Sequence, residues 1–142
     1  MRLNQDEITA LSHRYGLKFL VYFGSFLTEH YRKDSDIDLA FLAHRPLSST
    51  QKWELCKELM ILHRKSEIDL VDLQTAEPLL RYIVATEGRL LYEEEVGTFE
   101  RYALFYVKHY YELAPVIQDQ MRRLMAEIKE LDNDDNKSDN LQ

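Results

Sequence analysis

Cysteine is nearly absent from this chain of 142 residues, and its scarcity limits what the protein can be. The single Cys56 cannot form a disulfide within the chain, which suits a reducing compartment. Its apolar helical neighbours indicate a core residue rather than a nucleophile. No apolar run approaches the roughly 20 residues of a membrane-spanning helix, and the first residues lack the apolar core of a signal peptide. We therefore expect a cytoplasmic protein of one domain.

Glycine is scarce as well, and acidic residues outnumber basic ones. Only four glycines occur, and no Gly-x4-Gly-Lys sequence is present, so a P-loop or Rossmann nucleotide site has no support. The formal net charge of −7 argues against a protein that binds nucleic acid directly through a broad basic surface. This net charge is compatible with a small basic pocket that binds a nucleotide. A hydrophobic content of 45% is typical of a soluble globular domain with a real core.

Helical and strand patterns alternate along the chain, which predicts an α/β (α+β) fold with a small mixed sheet flanked by helices. We expect a core at 1–93, a C-terminal helical segment of the same domain at 94–131, and a disordered acidic tail at 132–142. Pro115 should kink or split the last helix. The predicted helices cover 6–15, 51–64, 76–87 and 98–131, and the predicted strands cover 18–23, 36–42, 67–73 and 89–92.

Two aspartates stand inside an apolar strand pattern. Asp36 and Asp38 are two residues apart, so their side chains point to the same face of the strand. Carboxylates held that close repel each other, and a divalent cation such as Mg²⁺ relieves the repulsion. An isolated Asp-x-Asp more often marks a solvated strand end. The surrounding apolar strand and the turn before it favour a metal site.

That turn is Gly24-Ser25, which directly follows the apolar strand at 18–23. Bare backbone N–H groups, a hydroxyl and a following helix N-terminus can together hold a phosphate. Gly24 would allow the close approach that a side chain blocks. Arg32 and Lys33 are the nearest candidates for positive charge, or they are simply solvated loop residues. The combination predicts a nucleotide-binding site of Gly24, Ser25, Arg32 and Lys33 beside the two aspartates.

A third carboxylate has two candidates on the strand at 67–73. Asp69 lies in the middle of the strand and Asp72 near its end. They are three positions apart, so on a regular strand they face opposite sides and only one can join Asp36 and Asp38.

The pattern Gly24-Ser25-x10-Asp36-Ile37-Asp38 resembles the signature of the minimal nucleotidyltransferases of the DNA polymerase β superfamily. More narrowly, the chain resembles the MntA-type antitoxins of HEPN/MNT toxin–antitoxin pairs, over about residues 17 to 115. This resemblance implies a polymerase β palm-like sheet and favours Asp69 as the third catalytic and metal-binding carboxylate. Asp36 and Asp38 would then bridge two Mg²⁺ ions, with ATP as the substrate.

The resemblance also implies a function. MntA-type antitoxins transfer AMP from ATP to a tyrosine of a cognate HEPN toxin, which is typically an RNase. Two alternatives remain at this point: a catalytically weak antitoxin that neutralises its partner by binding, and a nucleotidyltransferase that acts on a small molecule or on RNA. A tyrosine-rich stretch at 102–111 could form the partner surface, or its rings could simply cover the core.

Overall fold

The computed structural model describes residues 3–24 and 36–139, the last three by their backbone only. The elements alternate between helix and strand much as the sequence predicts. In chain order they are α1 (Gln5–Arg14), β1 (Leu17–Phe23), β2 (Ile37–Ala43), α2 (Ser49–His63), β3 (Ile68–Asp72), α3 (Pro78–Glu87), β4 (Arg89–Glu93) and α4 (Thr98–Asp139).

The four strands form one mixed sheet in the order β3-β2-β1-β4. β1 pairs antiparallel with both β2 and β4, whereas β2 and β3 run parallel. The parallel pair needs a crossover, and α2 supplies it. The predicted mixed sheet is therefore confirmed, and β4 lies at its edge.

Both faces of the sheet are covered by helices, which gives three layers. On one face, Leu20 and Leu39 pack with Ile8 of α1 and with Leu55 and Leu59 of α2. On the other face, Phe19, Val21 and Ala40 pack with Val84 of α3 and Tyr106 of α4. β1 contributes fully buried side chains to both clusters, and its near-continuous apolar sequence is typical of a central strand covered on both faces.

Helix α2 begins with a capping box, in which the Ser48 hydroxyl accepts from the Gln51 N–H and the Gln51 side chain accepts from the Ser48 N–H. The helix turns Leu55, Leu59 and His63 into the protein. Trp53, which the periodicity places on the buried stripe, is instead 56% exposed, with Lys57 over its ring.

Helix α4 differs most from the prediction. It continues as one helix through Pro115 and beyond residue 131 to Asp139, across residues that the composition assigns to a disordered tail. Once a helix is nucleated, each further residue adds a hydrogen bond, and no glycine or proline follows Pro115 to stop it. Across the described ranges, no helix combines the length and apolar character needed to cross a membrane.

Tyr106 and Tyr102 of α4 lie over the core rather than forming a free surface. Tyr106 is only 3% exposed, and the Tyr102 ring lies 5.7 Å from that of Phe19. Tyr111, by contrast, is 61% exposed. The tyrosine-rich stretch is therefore divided between the core and the surface.

Candidate active site

Gly24 follows β1 directly and has a backbone φ of +77°, a conformation that glycine adopts more readily than any other residue. A Cβ at this position would overlap a carboxylate oxygen of Asp38 and would lie 3.3 Å from its Cγ. The register of the sheet explains this closeness, since Phe23 pairs with Asp38. A glycine is required here for two separate reasons, the backbone angle and the neighbouring carboxylate.

Asp36, Asp38 and Asp69 come together at one end of the β2–β3 pair. Asp36 stands just before β2 and is exposed, while Asp38 is half-buried inside that strand. Asp69 is the register partner of Asp38 on the parallel neighbour β3. Neighbouring strands lie about 4.8 Å apart, and paired residues point to the same face. The two strands therefore place Asp38 and Asp69 side by side, and the charge of Asp36, just before β2, acts on Asp38.

The charges of these carboxylates act on one another. Burial raises the pKa of Asp38 above its ordinary value, and the neighbouring charges of Asp69 and Asp36 raise it further. Burial also raises the pKa of the Cys56 thiol, with Asp69 adding to the effect. A neutral thiol is a poor nucleophile, which agrees with the reading of Cys56 as a structural residue.

Asp72, the other candidate for the third carboxylate, has different neighbours. Its Oδ2 lies 3.0 Å from Nζ of Lys52, and its Oδ1 accepts a hydrogen bond of 3.0 Å from the Gln74 N–H. It is thus neutralised by an ion pair and holds the turn after β3. Of the two candidates, Asp69 is the one that lies beside Asp38.

The chemistry of the three carboxylates fits a hard cation. Their oxygens are the ligands that Mg²⁺ prefers, and their repulsion, seen in the raised pKa of Asp38, is what a cation would relieve. Within 3–24 and 36–139, no three His, Cys, Asp or Glu side chains stand close enough to form a complete metal-binding group. Mg²⁺ usually keeps several waters and takes further oxygens from substrate phosphates, so an open set of protein ligands suits it. Ser25, Arg32 and Lys33, which the sequence predicts at this site, lie outside the described residues.

A buried pair behind the site was missed by the sequence analysis. His63 of α2 is 2% exposed, and its Nε2 lies 2.7 Å from the hydroxyl of Tyr22 on β1. Its Nδ1 lies 2.7 Å from the Leu59 carbonyl, so a neutral ring donates there and accepts the tyrosine proton at Nε2. Burial lowers the pKa of His63 and raises that of Tyr22. The two residues are 41 positions apart in the chain, and no spacing pattern in the sequence predicts such a contact.

Comparison with known proteins identifies the family and agrees with the fold. The sequence model "Polymerase beta, Nucleotidyltransferase" matches residues 6–96. The protein adenylyltransferase MntA of Shewanella oneidensis is 35% identical over 109 residues, which cover 75% of each chain. MntA of Aphanizomenon flos-aquae is 29% identical over 96 residues, covering 61% of this chain and 63% of the relative.

Solved structures of toxin–antitoxin complexes are also similar to this chain. A crystal structure of a toxin–antitoxin with AMP-PNP matches 87% of this chain and 99% of its own chain, at 30% identity and a TM-score of 0.72. A structure of a tri-AMPylated Shewanella oneidensis HEPN toxin in complex with its MNT antitoxin matches 85% of this chain and 95% of its own chain. There the identity is 28% and the TM-score 0.66.

The mixed sheet, the glycine turn and the carboxylates beside it define a nucleotidyltransferase, and this chain belongs to the polymerase β nucleotidyltransferase family. The predicted fold is thereby confirmed. Within that family, the chain is a minimal nucleotidyltransferase of the MntA type.

Proposed function

We propose that this protein is an antitoxin that transfers AMP from ATP to a tyrosine of a cognate HEPN toxin. The observation that carries the proposal is the pairing of Asp38 with Asp69, with Asp36 beside them, against the Gly24 turn. Similarity to protein adenylyltransferases supports the choice of reaction, and similarity to an antitoxin bound to an AMPylated toxin supports the choice of partner.

Each residue has a part in this reaction. Asp36, Asp38 and Asp69 would hold two Mg²⁺ ions, which neutralise phosphate charge and lower the pKa of the attacking hydroxyl when bound. Gly24 leaves room for phosphate oxygens next to the carboxylates, because it has no side chain. Ser25, Arg32 and Lys33 would contact the β- and γ-phosphates.

The transfer is a displacement at the α-phosphorus of ATP. The tyrosine oxygen bonds to the α-phosphorus, the bond from that phosphorus to the bridging oxygen breaks, and pyrophosphate leaves with the bond's electrons. The phenolic proton passes to solvent water, and Asp69 would hold the Mg²⁺ that lowers the pKa of that hydroxyl. The product tyrosine carries the negative charge and bulk of AMP, which gives a physical route to silencing a toxin.

The experiment combines this protein with its cognate HEPN toxin, ATP and Mg²⁺, and weighs the toxin by mass spectrometry. We expect a gain of whole AMP units, which the double variant Asp36→Ala/Asp38→Ala abolishes. A stable complex without any gain in mass would contradict the proposal and support an antitoxin that acts by binding. AMP on a small molecule instead of the toxin would identify a different acceptor class.

A further inference from the structure

The apolar residues of α4 recur at alternating steps of four and three, the spacing of helices that pack along a seam. We call this stripe the α4 seam. It consists of Ala103, Val107, Tyr110, Ala114, Ile117, Met121, Leu124, Ile128 and Leu131. Its regularity continues without a break across Pro115, which stands beside the stripe rather than in it.

The first half of the α4 seam is already a packing surface. Tyr110 stacks on Tyr82 of α3 with ring centroids 4.5 Å apart, and Ala103, Val107 and Ala114 are all partly buried. At the other end of α3, a Cβ on Gly88 would lie 3.0 Å from the ring of Phe99. The two helices therefore run antiparallel, and α4 extends past the first residue of α3, Pro78.

The second half continues the same stripe with its side chains in the open. Met121, Leu124, Ile128 and Leu131 are between 46% and 65% exposed, although they continue the stripe whose first half packs against α3. From Ile117 to Leu131 this half is about 22 Å long, enough for a partner helix of four turns. A contiguous apolar stripe of this kind marks an interaction site.

The charges beside this half indicate which kind of helix fits. Glu127 lies within this half and Asp132 directly follows it, and both stand at positions that border a helical seam. A second copy of α4 packed in parallel would bring these carboxylates face to face. A helix with basic residues beside its own apolar stripe would pair with them instead.

We propose that the exposed half of the α4 seam, Ile117 to Leu131, docks an amphipathic helix of the partner toxin that carries basic residues beside its apolar stripe. The identity of the partner rests on the proposed function; the seam itself rests on the structure. Docking there would hold the toxin on an element separate from the nucleotide site. Neutralisation of the toxin would then use one surface to bind it and another to modify it.

The test uses the full chain and its cognate toxin, with affinity measured by calorimetry. Leu124→Asp and Ile128→Asp each place a carboxylate in the seam, and we expect each to weaken toxin binding by about tenfold or more. Ala126→Asp makes the same kind of change on the opposite, exposed face of the helix and should bind the toxin as the wild type does. All three should bind ATP·Mg²⁺ equally, because their positions are far from the nucleotide site along α4.

A separate variant distinguishes the two proposals. Asp36→Ala/Asp38→Ala should bind the toxin with unchanged affinity while transferring no AMP. Loss of binding in the seam variants without AMP transfer by the wild type would uphold the seam and overturn the proposed function. Unchanged binding by Leu124→Asp and Ile128→Asp would overturn the seam, whether or not AMP is transferred. A wild-type protein that is a dimer by itself, and a monomer as Leu124→Asp, would also overturn it, because a second copy would then be the occupant.

Discussion

At the scale of single residues, the site depends on one close approach between Gly24 and Asp38. Because the glycine has no side chain, the carboxylate can stand against the turn that ends β1. The sequence indicates that Gly24 matters for phosphate access. It cannot show that Gly24 also makes room for Asp38, since that contact arises from the pairing of β1 with β2.

Gly24→Ala should therefore damage the site beyond its effect on the backbone. We expect a loss of stability of about 1–2 kcal/mol from the positive φ, together with loss of ATP·Mg²⁺ binding as the methyl group displaces Asp38. Gly16→Ala is the matched control, because Gly16 has a φ of +63° but nothing within 4 Å of an added Cβ. It should cost similar stability and leave ATP binding intact. Denaturant unfolding and calorimetry measure the two effects, and equal ATP binding by both variants would refute this account of Gly24.

The negative charge of Asp38 lowers the stability of the folded protein when no cation is bound. Its pKa is raised in the folded state, so the folded protein binds that proton more tightly than the unfolded chain does. Stability therefore falls as pH rises from the ordinary aspartate pKa of 3.8 through the raised one, and the penalty persists at neutral pH. We expect Asp38→Asn to raise Tm in the presence of a chelator and to reduce the stabilisation that Mg²⁺ gives.

Asp72→Asn is the contrasting variant. It should lower Tm, because it removes the ion pair with Lys52. Thermal melts with chelator and with Mg²⁺ test both variants. A Tm for Asp38→Asn below that of the wild type in chelator would contradict this account. It would show that burial and the neighbouring carboxylates do not disfavour the charge of Asp38.

At the scale of elements, the contact of Tyr22 with His63 ties β1 to α2 just before the turn that carries Gly24. The histidine is buried in its neutral form, and its pKa is lowered from 6.5. Below that value the unfolded chain takes up a proton that the folded protein resists. Stability should therefore be fully present above pH 6.5 and fall as the pH drops toward the lowered pKa.

His63→Gln should flatten this dependence, because glutamine does not titrate. Urea unfolding at pH 7 and pH 5 measures the change in unfolding free energy for the variant and the wild type. His13→Gln, at an exposed position of α1, is the matched control for the loss of a histidine. A slope for His63→Gln as steep as that of the wild type would assign the acid sensitivity to other groups.

The order and type of the helices and strands could be predicted from the sequence better than the buried faces of the helices and the residues at which they begin and end. The apolar runs predict all four strands, whereas α2 begins at Ser49, two residues before the predicted start at 51. The predicted buried face of α2 is wrong at one residue, since the helical stripe includes Trp53, which is exposed, whereas the sheet covers Leu55. Glu93 also escaped notice as part of an acidic run, yet its carboxylate accepts from the Gly97 and Phe99 N–H groups at the start of α4.

At the scale of the whole molecule, the chain separates two tasks. The sheet and its two helical layers fix the carboxylates, while α4, about 63 Å long, carries an apolar seam away from them. Sequence composition concealed this arrangement, because an acidic, weakly apolar tail is also typical of disorder. The deciding feature is the preceding helix, which supplies the nucleus from which residues 132–139 continue.

The central claim is that Asp69, beside Asp38, completes the site and that Asp72 does not. The most direct test compares AMP transfer to the cognate toxin by Asp69→Asn and Asp72→Asn under the same conditions. We predict that Asp69→Asn lowers the transfer rate by about 100-fold or more, because a metal-binding carboxylate is lost. Asp72→Asn should stay within about threefold of the wild type, since only a structural ion pair is removed. Transfer that survives in Asp69→Asn and is lost in Asp72→Asn would contradict the account.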